Sequence, residues 1–151
     1  MNQMDSPLLS VIIPVHNAEK YIRQCISSIL DQGIGNLEIL CVDDGSTDHS
    51  AEILDSMAAE VPQLHVIRQP NRSAGAARNH GLAFAKGKFV HFLDADDWLC
   101  PDIYSKSIGL MEKTGADVCI FQYIFRTNYI GIFPSTTCCN IKQSQFKTMQ
   151  H

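Results

Sequence analysis

Short apolar runs that alternate with segments of helical periodicity constrain this 151-residue chain more than any other feature. The runs are rich in β-branched and aliphatic residues and too short for helices, which predicts strands. They cover residues 9–15, 37–42, 64–67, 89–93 and 118–125. Because a helical segment separates each strand from the next, the sequence predicts an α/β fold: a mostly parallel sheet with right-handed crossovers and helices on both faces.

The segments between the runs carry apolar residues three or four positions apart, which predicts amphipathic helices over 18–32, 47–60, 73–86 and 101–114. In the first helix the periodic residues predict one buried stripe of Tyr21, Ile22, Cys25, Ile26, Ile29 and Leu30. Asn17 is the candidate N-cap of this helix and Glu19 the candidate acid in its first turn. Gly115 follows the last periodic residue of the fourth helix and is expected to end it.

Charge and cysteine usage exclude several classes of protein. Twelve basic against sixteen acidic residues leave a net charge of −4, so a nucleic-acid partner or a polybasic membrane surface is not expected. No run of about 18 apolar residues is present, and the polar start lacks the basic residues of a secretory signal. The six cysteines form no C-x-x-C pair. The sequence therefore predicts a cytoplasmic location with reduced cysteines.

Acidic clusters follow two of the predicted strands. The residues after the second strand are Asp43, Asp44, Gly45, Ser46, Thr47 and Asp48, and those after the fourth are Asp94, Ala95, Asp96, Asp97 and Trp98. Ligands of parallel sheets bind beyond the carboxyl ends of the strands, so we expect both clusters at one edge. Their mutual repulsion must be offset there, and hard oxygen ligands favour Mg²⁺ or Mn²⁺.

Residues 61–93 contain no acid but carry five cations, which are Arg68, Arg72, Arg78, Lys86 and Lys88. Cations beside metal-binding carboxylates are typical of a diphosphate site. The positive end of the helix that begins near Ser73 would add to it. The alternative is that these cations form a solvated helix face, and Lys86 and Lys88 flank a turn at Gly87.

Competing nucleotide folds are tested by spacing. The first strand is not followed by G-x-G-x-x-G, which a dinucleotide-binding domain needs. Lys86 stands where a P-loop needs its second glycine. The Asp-x-Asp after the fourth strand is shared with haloacid-dehalogenase-like phosphatases, but Trp98 occupies the place of their Thr or Val.

Four segments together resemble a family 2 glycosyltransferase with the GT-A nucleotide-sugar fold. They are residues 10–17, 43–48, 75–81 and 92–97, and the resemblance extends over residues 8–118. It implies a GT-A domain over 1–125, an incomplete tail of the acceptor side over 126–151, and a missing C-terminal part.

The resemblance also implies roles at matching positions. Pro14 and Val15 would line the base pocket, Asp44 would accept the N3–H of uracil, and Asp96 would bind the metal that bridges the diphosphate. The residues implied to bind the nucleotide are Pro14, Val15, Asn17, Asp43, Asp44, Arg78, Asp94 and Ala95. Arg78 would lie near the phosphates and Asp94 near the ribose.

The activity implied is transfer of a sugar, most simply from a UDP-sugar, to a hydroxyl of a glycan or lipid-linked glycan with inversion. Such enzymes commonly serve surface polysaccharide synthesis at the inner face of the membrane.

Inversion needs a general base, usually a carboxylate. No Asp or Glu follows Asp117 in this chain, so the resemblance implies a catalytic base beyond His151. We therefore expect an incomplete fragment of low or no activity. The alternative is a non-catalytic nucleotide-sugar binding module.

Several residues have structural interpretations instead. Asp48 is expected to serve the start of the second helix, and Trp98 to pack under the metal loop. Four histidines, His16, His65, His80 and His91, are expected to be structural. The apolar segment 119–133 is expected to be exposed and to support association of two copies.

Overall fold

The computed structural model describes residues 6–120 and 137–139, the last three by their backbone alone. Strands and helices alternate through its first part, as predicted. The elements are β1 (Leu9–Val15), α1 (Ile22–Leu30), β2 (Leu37–Asp44), α2 (Ser50–Glu60), β3 (Leu64–Gln69), α3 (Ala74–Phe84) and β4 (Phe89–Phe92).

Four parallel strands form one sheet in the order β3-β2-β1-β4. The two inner strands are almost entirely buried, which explains their continuous apolar runs. The outer strands β3 and β4 are only partly buried. The predicted α/β fold with a parallel sheet is therefore confirmed.

The direction of each crossover assigns the helices to the two faces of the sheet. The steps from β1 to β2 and from β2 to β3 run one way along the sheet, whereas the step from β3 to β4 runs back across it. Because such crossovers are right-handed, α1 and α2 cover one face and α3 covers the other. α3 packs closely, since a Cβ added at Gly81 would lie 2.6 Å from Cγ2 of Ile12.

The start of α1 differs from the prediction. Tyr21 is its N-cap residue, without a side-chain hydrogen bond, and Glu19 lies before the helix. Asn17 adopts a φ of 52° outside the helix, and its Oδ1 accepts a hydrogen bond from the backbone N–H of Thr47. The predicted N-cap at Asn17 is wrong because this side chain joins two loops instead.

A second compact unit begins at Asp102. It contains α4 (Ile103–Thr114), β5 (Val118–Ile120) and β6 (Thr137–Cys139). Gly115 ends α4 as predicted, in the left-handed conformation with a φ of 66°. β5 pairs antiparallel with β6, so the expected fifth parallel strand is wrong. Periodicity identifies a strand but not its partner.

Three sequence predictions concern parts that the structure does not describe. Most of the proposed association segment 119–133 lies outside the described residues, and the functional boundary at residue 125 stays a prediction. His151 also lies outside them, so the catalytic base expected beyond His151 stays a prediction as well. None of the helices within residues 6–120 is both long and apolar enough to cross a lipid bilayer.

Candidate functional site

An open pocket of about 310 Å³ lies at the carboxyl ends of β1 and β4. These adjacent strands are where the crossovers change direction, and such a switch point forms the ligand crevice of an open α/β sheet. The pocket is lined by Pro14, Val15, His16, Asn17, Ala18, Tyr21, Asp44, Ala74, Arg78, Asp94, Ala95 and Asp96. The structure thus brings together every predicted nucleotide or metal residue except Asp43.

Asp44 presents a buried carboxylate to this pocket, with only 3% of the residue exposed. Its Oδ1 accepts hydrogen bonds from Nε2 of Gln69 at 2.7 Å and from the backbone N–H of Arg72 at 2.8 Å. Burial by itself would raise the pKa of Asp44, but these bonds and one from the Ser73 backbone outweigh it and lower the pKa. Asp44 is therefore an ionised hydrogen-bond acceptor.

Asp43 serves the turn after β2 rather than the pocket. Its Oδ1 accepts the backbone N–H of Ser46 at 3.0 Å, and its Oδ2 lies 4.0 Å from Nε of Arg68. Adjacent residues of a strand point to opposite faces, so only one of the two aspartates can face the pocket. The position of Asp43 does not support the nucleotide contact expected for it.

The loop after β1 is bound to the loop after β2 by polar contacts. The backbone N–H of Ala18 donates to Oγ of Ser50 at 2.8 Å, and that of Glu19 donates to Oδ2 of Asp48 at 3.1 Å. Oδ1 of Asp48 accepts the N–H of Ser50, the first residue of α2, which confirms the expected helix-start role. These contacts fix the rim of the pocket near Asn17.

Asp94 and Arg78 connect β4 to α3 across the pocket. Their side chains form an ion pair between Oδ1 and Nη2. The carbonyl of Asp94 accepts the N–H of Asp97 at 3.0 Å, which closes the turn that follows β4. Both charged side chains are partly exposed, so a ligand in the pocket can reach them.

The turn after β4 carries further negative charge. Burial, followed by the charges of Asp96 and Asp94, raises the pKa of Asp97. Within residues 6–120 no hydrogen bond or ion pair engages the carboxylate of Asp96, which faces the pocket. This carboxylate is therefore open to a cation.

The expected joint cation site of the two acidic clusters is not formed. No group of three or more potential protein ligands is arranged around a metal position among the residues described. Asp44 is poorly suited to a metal, because its Oδ1 already accepts two N–H donors. Any metal would rest on the cluster after β4 alone.

The predicted cations divide into different environments. Arg78 lines the pocket, whereas Nη2 of Arg68 lies 2.7 Å from both carboxylate oxygens of Asp55 on α2. Nζ of Lys88 lies 5.0 Å from the centre of the Phe89 ring. Arg68 lies on β3 and not on a helix face, and its ion pair keeps it outside the pocket lining, whereas the phosphate role expected of Arg78 stays a prediction.

Some pocket residues were not predicted from the sequence. Tyr21 was expected in the buried stripe of α1, but it is 48% exposed and lines the pocket. Its position shortly after the end of β1 was the available signal. His16 also lines the pocket, and its Nδ1 donates to the carbonyl of Asp44 at 3.0 Å. Trp98 is 43% exposed, and the packing role expected of it stays a prediction.

Comparison with known proteins agrees with this geometry. The family model described as glycosyl transferase family 2 matches residues 10–148. The chain belongs to this family. It is 42% identical over 120 residues to the putative glycosyltransferase EpsH of Bacillus subtilis, covering 80% of this chain and 35% of EpsH.

Solved structures with the same fold include ligand complexes. TarS of S. aureus in complex with UDP is 30% identical, with a TM-score of 0.67 over 72% of this chain and 33% of that one. The mannosyltransferase PcManGT of Pyrobaculum calidifontis, in complex with GDP-Man and Mn²⁺, is 26% identical, with a TM-score of 0.64 over 72% of this chain and 33% of that one. The fold is thus that of GT-A glycosyltransferases, and the chain spans about a third of the length of these proteins.

Proposed function

We propose that the pocket binds the uridine diphosphate part of a nucleotide sugar, and that the protein transfers this sugar to an acceptor hydroxyl with inversion. The observation that carries the proposal is the shared pocket of Asp44 and Asp96, which come from different strand ends. The carboxylate of Asp44 accepts two N–H donors at Oδ1, whereas the carboxylate of Asp96 is open to a cation.

Asp44 suits recognition of a base that carries an N–H group. A buried, ionised carboxylate only accepts hydrogen bonds, and uracil offers its N3–H to such an acceptor. Cytosine presents an unprotonated nitrogen at the same position and would face the carboxylate with a lone pair. Guanine also carries a ring N–H, so a guanosine donor is the competing candidate. Pro14 and Val15 line the same pocket as Asp44.

Other residues of the pocket suit a diphosphate. Arg78 brings a guanidinium, which binds phosphate oxygens in a two-pronged geometry. Ala74, the first residue of α3, also lines the pocket, so the positive end of this helix is directed to it. Backbone N–H groups at a helix start are well suited to phosphate oxygens.

Asp96, with Asp94 beside it, would hold Mn²⁺ or Mg²⁺ together with the diphosphate. Such a metal is commonly bound by one or two carboxylates, substrate phosphates and water, which fits the absence of a three-ligand cluster in the described residues. The bound metal would neutralise charge on the departing nucleoside diphosphate. The general base expected beyond His151, the acceptor and a place in polysaccharide synthesis stay predictions.

Calorimetric titration of the 151-residue chain with UDP, GDP and CDP, with and without Mn²⁺, tests the donor part. We expect UDP to bind more tightly with Mn²⁺, and Asp44→Asn to weaken UDP binding about tenfold, the equivalent of one charged hydrogen bond. Asp55→Asn is the matched control, because Asp55 pairs with Arg68 outside the pocket. Failure of UDP to bind under either condition would overturn the proposal, and tighter binding of GDP would reassign the base.

A further inference from the structure

A chain of hydrogen bonds leads from the pocket to α3. Asp44 accepts from Nε2 of Gln69 at 2.7 Å, and Oε1 of Gln69 lies 2.8 Å from Nδ1 of His80. Each of the three residues belongs to a different element: Asp44 ends β2, Gln69 ends β3, and His80 lies on α3. His80 does not line the pocket.

We propose that His80 is a positioning residue for base recognition, which holds the amide of Gln69 so that its NH₂ group faces Asp44. The proposal rests on the nucleotide-binding function proposed above. It assigns part of the selectivity for a base with an N–H group to residues that never touch the nucleotide.

The direction of each hydrogen bond follows from the chemistry of the groups. An ionised carboxylate accepts only, so Gln69 must present its NH₂ to Asp44. Its carbonyl oxygen then faces His80, and this oxygen also accepts only. Nδ1 of His80 must therefore carry a proton and donate. His80 thus prevents the amide of Gln69 from turning over.

The surroundings hold the His80 ring in place. It packs against the ring of Phe84, one turn further along α3, with centroids 5.5 Å apart. α3 itself lies close to the sheet at the neighbouring Gly81, where there is no room for a side chain next to Ile12. The donor on His80 is therefore fixed relative to β3, where Gln69 lies.

Loss of the His80 donor would release the amide. A turned-over Gln69 would present its oxygen to the carboxylate of Asp44, and the two acceptors would repel each other. Only the backbone N–H groups of Arg72 and Ser73 would then support Asp44. Asp44 would move or take up a proton, and in either case its preference for an N–H group on the base would fall.

Two variants of His80 separate this role from packing. His80→Asn keeps a donor near the place of Nδ1, and His80→Leu removes it. The measurement is the ratio of UDP to CDP affinity, by calorimetry on the 151-residue chain with Mn²⁺. We expect His80→Leu to weaken UDP binding about fivefold and to lower the ratio of UDP to CDP affinity by a similar factor. In His80→Asn, the UDP affinity and this ratio should both stay within about twofold of the parent values. His65→Leu, on an exposed position of β3, is the control for loss of a histidine.

Gln69→Met is a second variant that removes both polar ends of the amide at similar length, and it serves if His80→Leu fails to fold. We expect the same narrowing, and no further loss when the two changes are combined, because both act on one contact. If the parent chain does not bind UDP, the proposed function fails first. Suppose instead that the parent chain binds UDP selectively. The role of His80 is then overturned, and the proposed function stands, if His80→Leu or Gln69→Met keeps the full ratio of UDP to CDP affinity. The same conclusion follows if His80→Asn loses as much UDP affinity as His80→Leu.

Discussion

Arg78 on α3 and Asp94 after β4 form an ion pair, and both residues line the pocket. Each partner also has a proposed ligand of opposite charge or matching polarity, a phosphate for Arg78 and a metal or ribose for Asp94. Binding of a metal–nucleotide complex would therefore exchange one ion pair for several contacts. Because Arg78 and Asp94 neutralise each other, neither stands at the pocket as an unpaired charge before a ligand arrives.

The guanidinium of Arg78 is expected to act on the phosphates and not on the base. Arg78→Ala should weaken UDP binding about tenfold, while the much weaker binding of uridine should be nearly unchanged. Titrations with UDP and uridine measure both. Arg68→Ala is the control, because that side chain pairs with Asp55 on α2. An equal loss for uridine and UDP would contradict a phosphate contact.

Asp96 is expected to couple nucleotide binding to a divalent metal. In Asp96→Asn the affinity for UDP should no longer rise when Mn²⁺ is added, because the open carboxylate at the pocket is replaced by a neutral amide that binds hard cations poorly. Calorimetric titrations at several Mn²⁺ concentrations give this coupling directly. A variant that keeps the full response to Mn²⁺ would place the metal elsewhere.

The close contact of α3 with the sheet is expected to tolerate no side chain at Gly81. A Cβ there would lie 2.6 Å from Cγ2 of Ile12 and 3.1 Å from Cγ2 of Val42. Gly81→Ala should lower the free energy of unfolding by about 1–3 kcal/mol, measured by urea denaturation. Gly75→Ala, on the same helix, is the matched control because its Cβ would meet nothing closer than 3.9 Å. Equal stability of both variants would show that α3 can shift.

His91 on β4 is expected to make folding sensitive to acid. Burial lowers the pKa of His91 to about 4, from its ordinary value of 6.5. Below pH 6.5 His91 becomes protonated in the unfolded chain, whereas in the folded chain it stays neutral down to about pH 4. The free energy of unfolding therefore falls as the pH is lowered across this interval. His91→Gln removes the titrating group and should lose less stability than the parent between pH 6.5 and 4, measured by thermal unfolding. His65→Gln, at an exposed position, should follow the parent, and an unchanged pH slope in His91→Gln would contradict the assignment.

Much of the fold could be predicted because its signals are local. Strand β1 was predicted over its full length, and the end of α4 at Gly115 follows from the left-handed conformation that glycine adopts easily. The rule that parallel strands carry ligands at their carboxyl ends also led to the correct edge of the sheet. Each of these inferences uses only a few neighbouring residues.

The errors have a different physical origin. Asn17 has the chemistry of an N-cap, but its amide oxygen accepts from Thr47, thirty residues further along the chain. Tyr21 fits the apolar periodicity of α1, yet it lines the pocket. The antiparallel partner of β5 is β6, and β6 was not among the strands predicted from the sequence.

From its sequence alone, this protein was determined to be an α/β chain with acidic strand ends, because periodicity and motif spacing are properties of neighbouring residues. Only the tertiary structure decided that Asp44 and not Asp43 faces the pocket, and that Gln69 and His80 support it. Those outcomes depend on register: Asp44 pairs with Gln69 and Asp43 with Arg68 across β2 and β3. Strand register is set by the packing of the whole sheet, and the sequence of a single segment does not contain this information.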